Sequence, residues 1–297
     1  MKRRPVMQLL DGKVCAEQIR KEVADQVAKI TSAGGRRPHL AAVLVGTDGA
    51  SETYVANKVK DCKEVGFEST LVRLPDDATE EALLKTINRL NKDRSIDGYI
   101  VQLPLPPHIN EHRITLAIDP AKDVDGFSPT NVGAMCLGMP TFVSATPNGI
   151  MELLRRNDIT TEGKHCVIIG RSNIVGTPMS ILMSRNSKPG NATVTLVHSR
   201  TRNMAEICRS ADILVVAVGK PGFVGADMIS EGAVVIDVGI TRVEDKSRPS
   251  GYRLNGDVDF EAVKDRCAYI TPVPGGVGPM TRASLLLNTL KAHHNTR

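Results

Sequence analysis

The 297-residue chain contains no tryptophan, and only 3% of its residues are aromatic. A surface that stacks nucleobases on flat side chains has little to be built from. Positive charge is not massed either: 38 Lys and Arg stand against 33 Asp and Glu, a net +5, with the signs interleaved. Together these shortages argue against nucleic acid as a partner, while the slight positive excess suits anionic small molecules. No apolar run reaches the roughly 18–20 residues that span a bilayer, which argues against a membrane. The start, Met1-Lys-Arg-Arg-Pro-Val6, is basic with no apolar core behind it, so it does not read as a secretory signal. The six cysteines, at 15, 62, 136, 166, 208 and 267, include no Cys-x-x-Cys pair. That excludes the usual zinc and disulfide frameworks, so no metal is expected, and it favours a reducing compartment such as the cytoplasm.

What the chain does have is alternation. Helical spacing over Val14–Ile30 is followed by the apolar run Leu40–Val45, a helical stretch Ser51–Val65 with Ser51 as its expected N-cap, and strand-like Ser69–Leu74. Helical Glu80–Leu90 and strand-like Gly98–Leu103 come next. A second alternating set has strands at His165–Ile169, Thr193–Val197, Ile213–Val218, Ala233–Val238 and near Ala268–Ile270. Helices are expected over about Asn148–Arg156 and Met280–His293. Such alternation implies crossover units and mostly parallel sheets, an α/β protein. The length and a Gly/Pro/Thr-rich stretch before Pro147 point to two domains, and no internal repeat stands out.

The second set opens on a glycine turn. Cys166-Val-Ile-Ile169 runs into Gly170-Arg-Ser-Asn-Ile-Val-Gly-Thr-Pro178. A strand, a glycine turn and a helix N-terminus together seat a phosphate on backbone amides. The usual dinucleotide fingerprint has glycine two residues after the first, where Ser172 stands here, so the turn by itself is equally a ligand-free strand-to-helix corner. The end of the next strand decides between cofactors, because the residue there meets the adenosine ribose. An acid favours NAD and a basic residue tolerates the 2′-phosphate of NADP. His198-Ser199-Arg200-Thr201 has no acid. Ser199, Arg200 and Arg171 are suited to hold that phosphate, and NADP is expected.

In the first set, Tyr54 and Lys58 lie four apart on one side of a helix, at the edge of the stripe Val55, Val59, Cys62 and Val65. A lysine at such a boundary is either one of several solvated lysines or a partly desolvated amine that works as acid or base near neutral pH. Gln102, ending an apolar strand, is either a satisfied core amide or a site residue. Asp123 and Asp125 in Asp119-Pro-Ala-Lys-Asp-Val-Asp-Gly-Phe127 are either turn formers or site carboxylates.

Taken in order, Ser51-Glu-Thr-Tyr-Val-Ala-Asn-Lys-Val-Lys60, Val101-Gln-Leu-Pro-Leu-Pro106, Lys122-Asp-Val-Asp-Gly-Phe127, the Gly170 turn and Pro272-Val-Pro-Gly-Gly-Val-Gly-Pro-Met-Thr281 make a specific set. It closely resembles the bifunctional methylenetetrahydrofolate dehydrogenase/methenyltetrahydrofolate cyclohydrolase family, over about Leu9–Leu290. The resemblance implies an N-terminal α/β/α catalytic domain that binds folate, residues 1–147, with the C-terminal helix from about 279 to 297 packed back on it. It also implies a Rossmann-like NADP-binding domain, 148–278, and a cleft between the two. The implied reactions are NADP-dependent oxidation of 5,10-methylenetetrahydrofolate and hydrolysis of the methenyl product to 10-formyltetrahydrofolate. By position, Lys58 is the lysine of the hydrolysis, Gln102 the amide that positions it, Tyr54 a folate-lining ring and Asp125 the pterin holder. These four are the implied catalytic set. Val101, Leu103, Pro274, Gly275 and Gly276 complete the implied folate site. Gly170, Arg171, Ser172, Ser199, Arg200 and Ile240 are the implied dinucleotide contacts. The resemblance also implies a homodimer, in the one-carbon chemistry that feeds purine synthesis. A shikimate-type NADP dehydrogenase is the rival reading, but it leaves Lys58, Gln102 and Asp125 unexplained. A silent folate or nucleotide sensor leaves the retained Lys58 unexplained.

Overall fold

The computed structural model describes residues 7–248 and 251–295; the basic stretch Met1–Val6 lies outside them. Its elements, in chain order, are β1 (Gln8–Leu9), α1 (Gly12–Ser32), β2 (His39–Val45), α2 (Gly49–Glu64), β3 (Glu68–Leu74), α3 (Glu80–Lys92) and β4 (Gly98–Val101). Then come α4 (Glu111–Ala117), α5 (Pro129–Cys136), α6 (Ala145–Arg156), β5 (His165–Ile169), α7 (Gly176–Ser184), β6 (Thr193–Val197), α8 (Met204–Arg209) and β7 (Ile213–Val216). The last are β8 (Ala233–Asp237), β9 (Thr241–Glu244), β10 (Tyr252–Asn255), α9 (Phe260–Val263), β11 (Cys267–Ile270) and α10 (Val277–Asn295). The chain forms two compact units, one of Glu17–Ala145 with Arg282–Arg297, the other of Met1–Ala16 with Thr146–Thr281.

In the first unit, three parallel strands run in the order β3-β2-β4. The chain steps from β2 to β3, then returns past β2 to β4. Right-handed crossovers therefore put α2 and α3 on opposite faces. Successive β2 side chains alternate between those faces. Ala41, Val43 and Val45 join Leu83, Ile87 and Leu90 of α3 in one core, while Leu40, Ala42 and Leu44 are buried on the other side. Helix α3 has the expected signature: Thr79 caps Ala82, Glu80 and Glu81 occupy the first turn, and the buried residues repeat at helical spacing. Ser51 is not the cap of α2. The Asp48 carboxylate accepts from the Ser51 amide at 2.8 Å, and aspartate, an equally good cap, starts the helix earlier, at Gly49.

The second unit carries a six-stranded sheet, β1-β11-β8-β7-β5-β6, with every pair parallel. Strands β5 and β7 are apolar and buried along nearly their whole length, as a sheet covered on both faces requires. Strand β1 brings the N-terminal residues into this sheet, with Gln8 paired to Tyr269.

The two sheets share one device. At the start of β2, the His39 amide donates to Asp97 Oδ2 at 2.8 Å, the ring bonds the Ser95 carbonyl, and its other nitrogen bonds Thr70 Oγ1 at 2.8 Å. At the start of β5, the His165 amide donates to Asp212 Oδ2 at 2.8 Å, the ring bonds the Ser210 carbonyl, and its other nitrogen bonds Thr195 Oγ1 at 2.9 Å. Both aspartates close the run Arg-Ser-x-Asp, at Arg94–Asp97 and Arg209–Asp212. The three-stranded sheet of the first unit and the β6 end of the six-stranded sheet thus repeat one arrangement, β3-β2-β4 against β6-β5-β7, which the sequence displays only in these four-residue matches.

Candidate active site

Within the first unit the structure brings Lys58 and Gln102 together. Lys58 lies in the third turn of α2, and its Nζ donates to Gln102 Oε1 at 3.1 Å. Gln102 follows β4; its backbone amide continues the ladder to Val43, and its Nε2 donates to the Leu103 carbonyl at 2.6 Å. With its donor end engaged by backbone, the amide turns its oxygen to the amine. A neutral acceptor holds the lysine without stabilising its charge as a carboxylate does. Val101 is buried, and Leu103 and Tyr54 are part-buried.

The two aspartates of the following loop divide their work. Asp123 is buried and accepts from the amides of Gly126 at 3.0 Å and Ser128 at 2.6 Å, and from Asn131 Nδ2 at 3.0 Å, so it builds the turn. Asp125, part-buried, is the carboxylate that acts electrostatically on Lys58. Burial, the largest effect, pushes the Lys58 ammonium below lysine's usual range; Asp125 opposes this and Arg282 adds to it. Burial also pushes Asp125 above the usual carboxylate range, against the opposing charge of Lys58. Desolvation thus favours the neutral form of both groups. Sequence reasoning missed Arg282, whose guanidinium lies 3.2 Å from the buried Asp61. The one available signal was the position of Asp61, three residues after Lys58 on the same helix.

In the second unit, Gly170 leaves β5 with φ +110, and a Cβ there would meet the Ala217 carbonyl oxygen at 2.2 Å. A Cβ on Gly176 would meet the Gly170 carbonyl oxygen at 1.9 Å. Turn and helix are therefore pressed together, as a phosphate cradle demands. Between them, Arg171 and Ser172 are exposed, and Ser172 Oγ accepts from the Val175 amide at 3.2 Å. No side chain caps α7. The matching helix of the first unit, α2, is closed by its own Asp48 carboxylate. An anion is repelled at the aspartate-capped terminus and attracted at the other. Ser199 and Arg200 are exposed just past β6, in a turn closed by the Thr201 amide on the His198 carbonyl. Ile240 follows β8 and is 43% exposed. The uncapped helix, the close packing of turn on helix and the absence of an acid after β6 together fit NADP. Pro274, exposed, and Gly275 and Gly276, buried, form the loop between β11 and α10 in this same unit. Among the described residues no cluster of His, Cys, Asp and Glu has the makings of a metal site.

Known proteins match this arrangement along the chain. Residues 10–125 match the family described as tetrahydrofolate dehydrogenase/cyclohydrolase, catalytic domain. Residues 144–297 match its NAD(P)-binding domain. The chain belongs to this family. The bifunctional protein FolD of Cytophaga hutchinsonii is 62% identical over 286 residues, 96% of this chain and 99% of that protein. The solved structure of the bifunctional enzyme FolD, a methylenetetrahydrofolate dehydrogenase/cyclohydrolase from Campylobacter jejuni, superposes with a TM-score of 0.91 at 46% identity. It covers 97% of this chain and 99% of its own. The methylenetetrahydrofolate dehydrogenase-cyclohydrolase of Trypanosoma brucei, solved with NADP and an inhibitor, gives 0.92 at 42% identity, over 97% of this chain and 98% of its own. As a tetrahydrofolate dehydrogenase/cyclohydrolase, the chain has the two-domain α/β architecture of that family, with a Rossmann-like NAD(P)-binding part.

Proposed function

We propose that this chain oxidises 5,10-methylenetetrahydrofolate with NADP and hydrolyses the resulting 5,10-methenyl cation to 10-formyltetrahydrofolate. The observation that carries this reading is the Lys58 amine, held on the Gln102 oxygen with its charge disfavoured by burial. A lysine that stayed charged would repel the methenyl cation; a neutral one takes a proton from the attacking water. The same amine then delivers that proton to the departing N5 of the pterin as the C–N5 bond breaks, and the hydroxyl proton leaves to solvent. Gln102 orients the amine, Asp125 holds the pterin and Tyr54 lines the folate. NADP, when bound, accepts the hydride from the methylene carbon. Gly170, Arg171 and Ser172 would cradle its diphosphate, Ser199 and Arg200 its 2′-phosphate, and Ile240 its nicotinamide side. Hydride transfer demands alignment rather than an acid or base, so the protein's part in it is positioning. The test mixes purified protein, NADP and 5,10-methylenetetrahydrofolate and follows NADPH and the methenyl product; no NADPH overturns the reading. The reading includes a cytoplasmic homodimer feeding purine synthesis. The six free cysteines support a reducing compartment, and light scattering at twice the chain mass tests the dimer.

Arg200→Ala raises KM for NADP by about ten-fold, the worth of one charged hydrogen bond to phosphate, and leaves KM for NAD within about two-fold. An unchanged preference means the phosphate is held elsewhere. The hydrolysis rate should climb with pH as Lys58 loses its proton, with a midpoint below lysine's ordinary value because burial and Arg282 disfavour the ammonium. Arg282→Gln removes one of those influences, so the same limb should move to higher pH; a limb that stays put separates Arg282 from the lysine.

A further inference from the structure

Two buried acids in the second unit lie outside everything assigned above. Asp257 is fully buried and Asp237 4% exposed. Asp257 Oδ2 accepts from the amides of Val218 at 2.7 Å and Gly219 at 2.9 Å, and its Oδ1 from that of Lys220 at 2.7 Å. These are successive residues of the loop that leaves the carboxyl end of β7. Asp237, the last residue of β8, accepts on Oδ1 from the Gly239 and Asp257 amides, each at 2.9 Å, and on Oδ2 from the Val258 amide at 3.0 Å. Its own amide is held by Thr271 Oγ1 at 2.7 Å.

The connections form a relay. Asp237 fixes the backbone that carries Asp257, Asp257 fixes the β7 loop, and Asp237 also fixes the turn that leads through Gly239 to Ile240. There is no slack in it: a Cβ on Gly239 would lie 2.4 Å from the Asp257 carboxylate, and one on Gly256 would lie 1.9 Å from Asp237 Oδ2. Because each peptide is planar, amides that point at Asp257 turn the carbonyls of Ala217, Val218 and Gly219 the opposite way. The carboxylate thereby sets which backbone groups this loop presents. Open parallel sheets bind ligands at the carboxyl ends of their strands, and β7 is the neighbour of β5, whose turn is the proposed phosphate cradle. The cost of burying two carboxylates in one place is offset only by this full set of amide donors.

We propose that Asp257 and Asp237 are positioning residues of the dinucleotide site, holding the Val218–Lys220 loop and the Gly239–Ile240 turn in the conformation that receives NADP. The proposal rests on the reading of this unit as an NADP site. Neither side chain touches the ligand; both act through backbone.

The experiment uses the full chain and two variants. In Asp257→Asn one acceptor oxygen becomes an NH2 group that faces amide donors. In Gly219→Ala the buried acids stay intact, but the loop residue at φ +66 gains a side chain, with nothing within 4 Å to obstruct it. Binding is read by NADPH fluorescence titration, and both activities are measured. Loss of a charge-assisted hydrogen bond predicts an NADPH Kd and a KM for NADP about ten-fold higher in Asp257→Asn, with dehydrogenase kcat within about three-fold and hydrolysis within about two-fold. Gly219→Ala should raise the NADPH Kd by about five-fold, with a melting temperature lower by only a few degrees, since one strained residue costs little of the whole fold. An NADPH Kd unchanged in a folded Asp257→Asn, or parallel loss of both activities, overturns the proposal. If Asp257→Asn does not fold, Gly219→Ala decides, and an unchanged Kd there overturns it. Wild-type protein that binds no NADPH overturns the underlying reading, and the positioning role with it.

Discussion

Lys58→Met is expected to abolish hydrolysis of the methenyl substrate, by about 10³-fold or more, while NADP-dependent oxidation stays within about three-fold of the parent. General acid–base catalysis by one placed side chain contributes typically 10²–10⁴ in rate. Asp125 acts electrostatically on Lys58, but burial biases it toward its protonated form, and a neutral acid does not take a proton from water. Methionine has nearly the same length and no charge, so the packing around Gln102 loses one hydrogen bond and little else. Stopped-flow loss of methenyl absorbance, with NADPH formation followed on the same protein, measures both activities. Equal loss of the two means that Lys58 serves binding or folding rather than proton transfer.

Gly176→Ala is expected to do the reverse. Its new Cβ falls 1.9 Å from the Gly170 carbonyl oxygen, and that obstacle is backbone, which no rotamer change relieves. The turn or helix α7 has to move. Forced overpacking costs roughly 1–3 kcal/mol, which at a ligand site is a loss of up to about 100-fold in kcat/KM for NADP. Hydrolysis, which consumes no dinucleotide, should remain within about two-fold. Steady-state kinetics with NADP as the varied substrate decides it; an unaltered kcat/KM would mean that the close approach of turn and helix is irrelevant to the cofactor.

Much of the scaffold was legible in the sequence, for physical reasons. Runs such as Cys166–Ile169 and Ile213–Val216 are too apolar and β-branched for anything but buried strands, and the structure has them as β5 and β7. What escaped notice has little hydrophobic signal. The paired strands β9 and β10 read Thr-Arg-Val-Glu and Tyr-Arg-Leu-Asn, with no residue fully buried and most of them charged or polar. Strand β1 is two residues long and exists only through its partner β11. The candidate site was legible to a different degree. Periodicity put Lys58 at a boundary but left it indistinguishable from Lys60; the family resemblance singles it out, and the Gln102 contact and the burial of the amine give the physical reason. Asp257 carries no sequence signal at all, because its partners are backbone amides, which every residue type except proline supplies.

The His–Asp–Thr fastening that recurs at the base of β2 and β5 has a consequence for how this chain was able to change. It ties down the amino ends of both sheets with the same three kinds of bond. Substitutions at the opposite rim therefore do not loosen the strands beneath. The two corners differ there: an aspartate seals one helix, and the other helix is left open to an anion. One arrangement, fastened in the same way at one end, thus carries at its other end two helix starts of opposite electrostatic character.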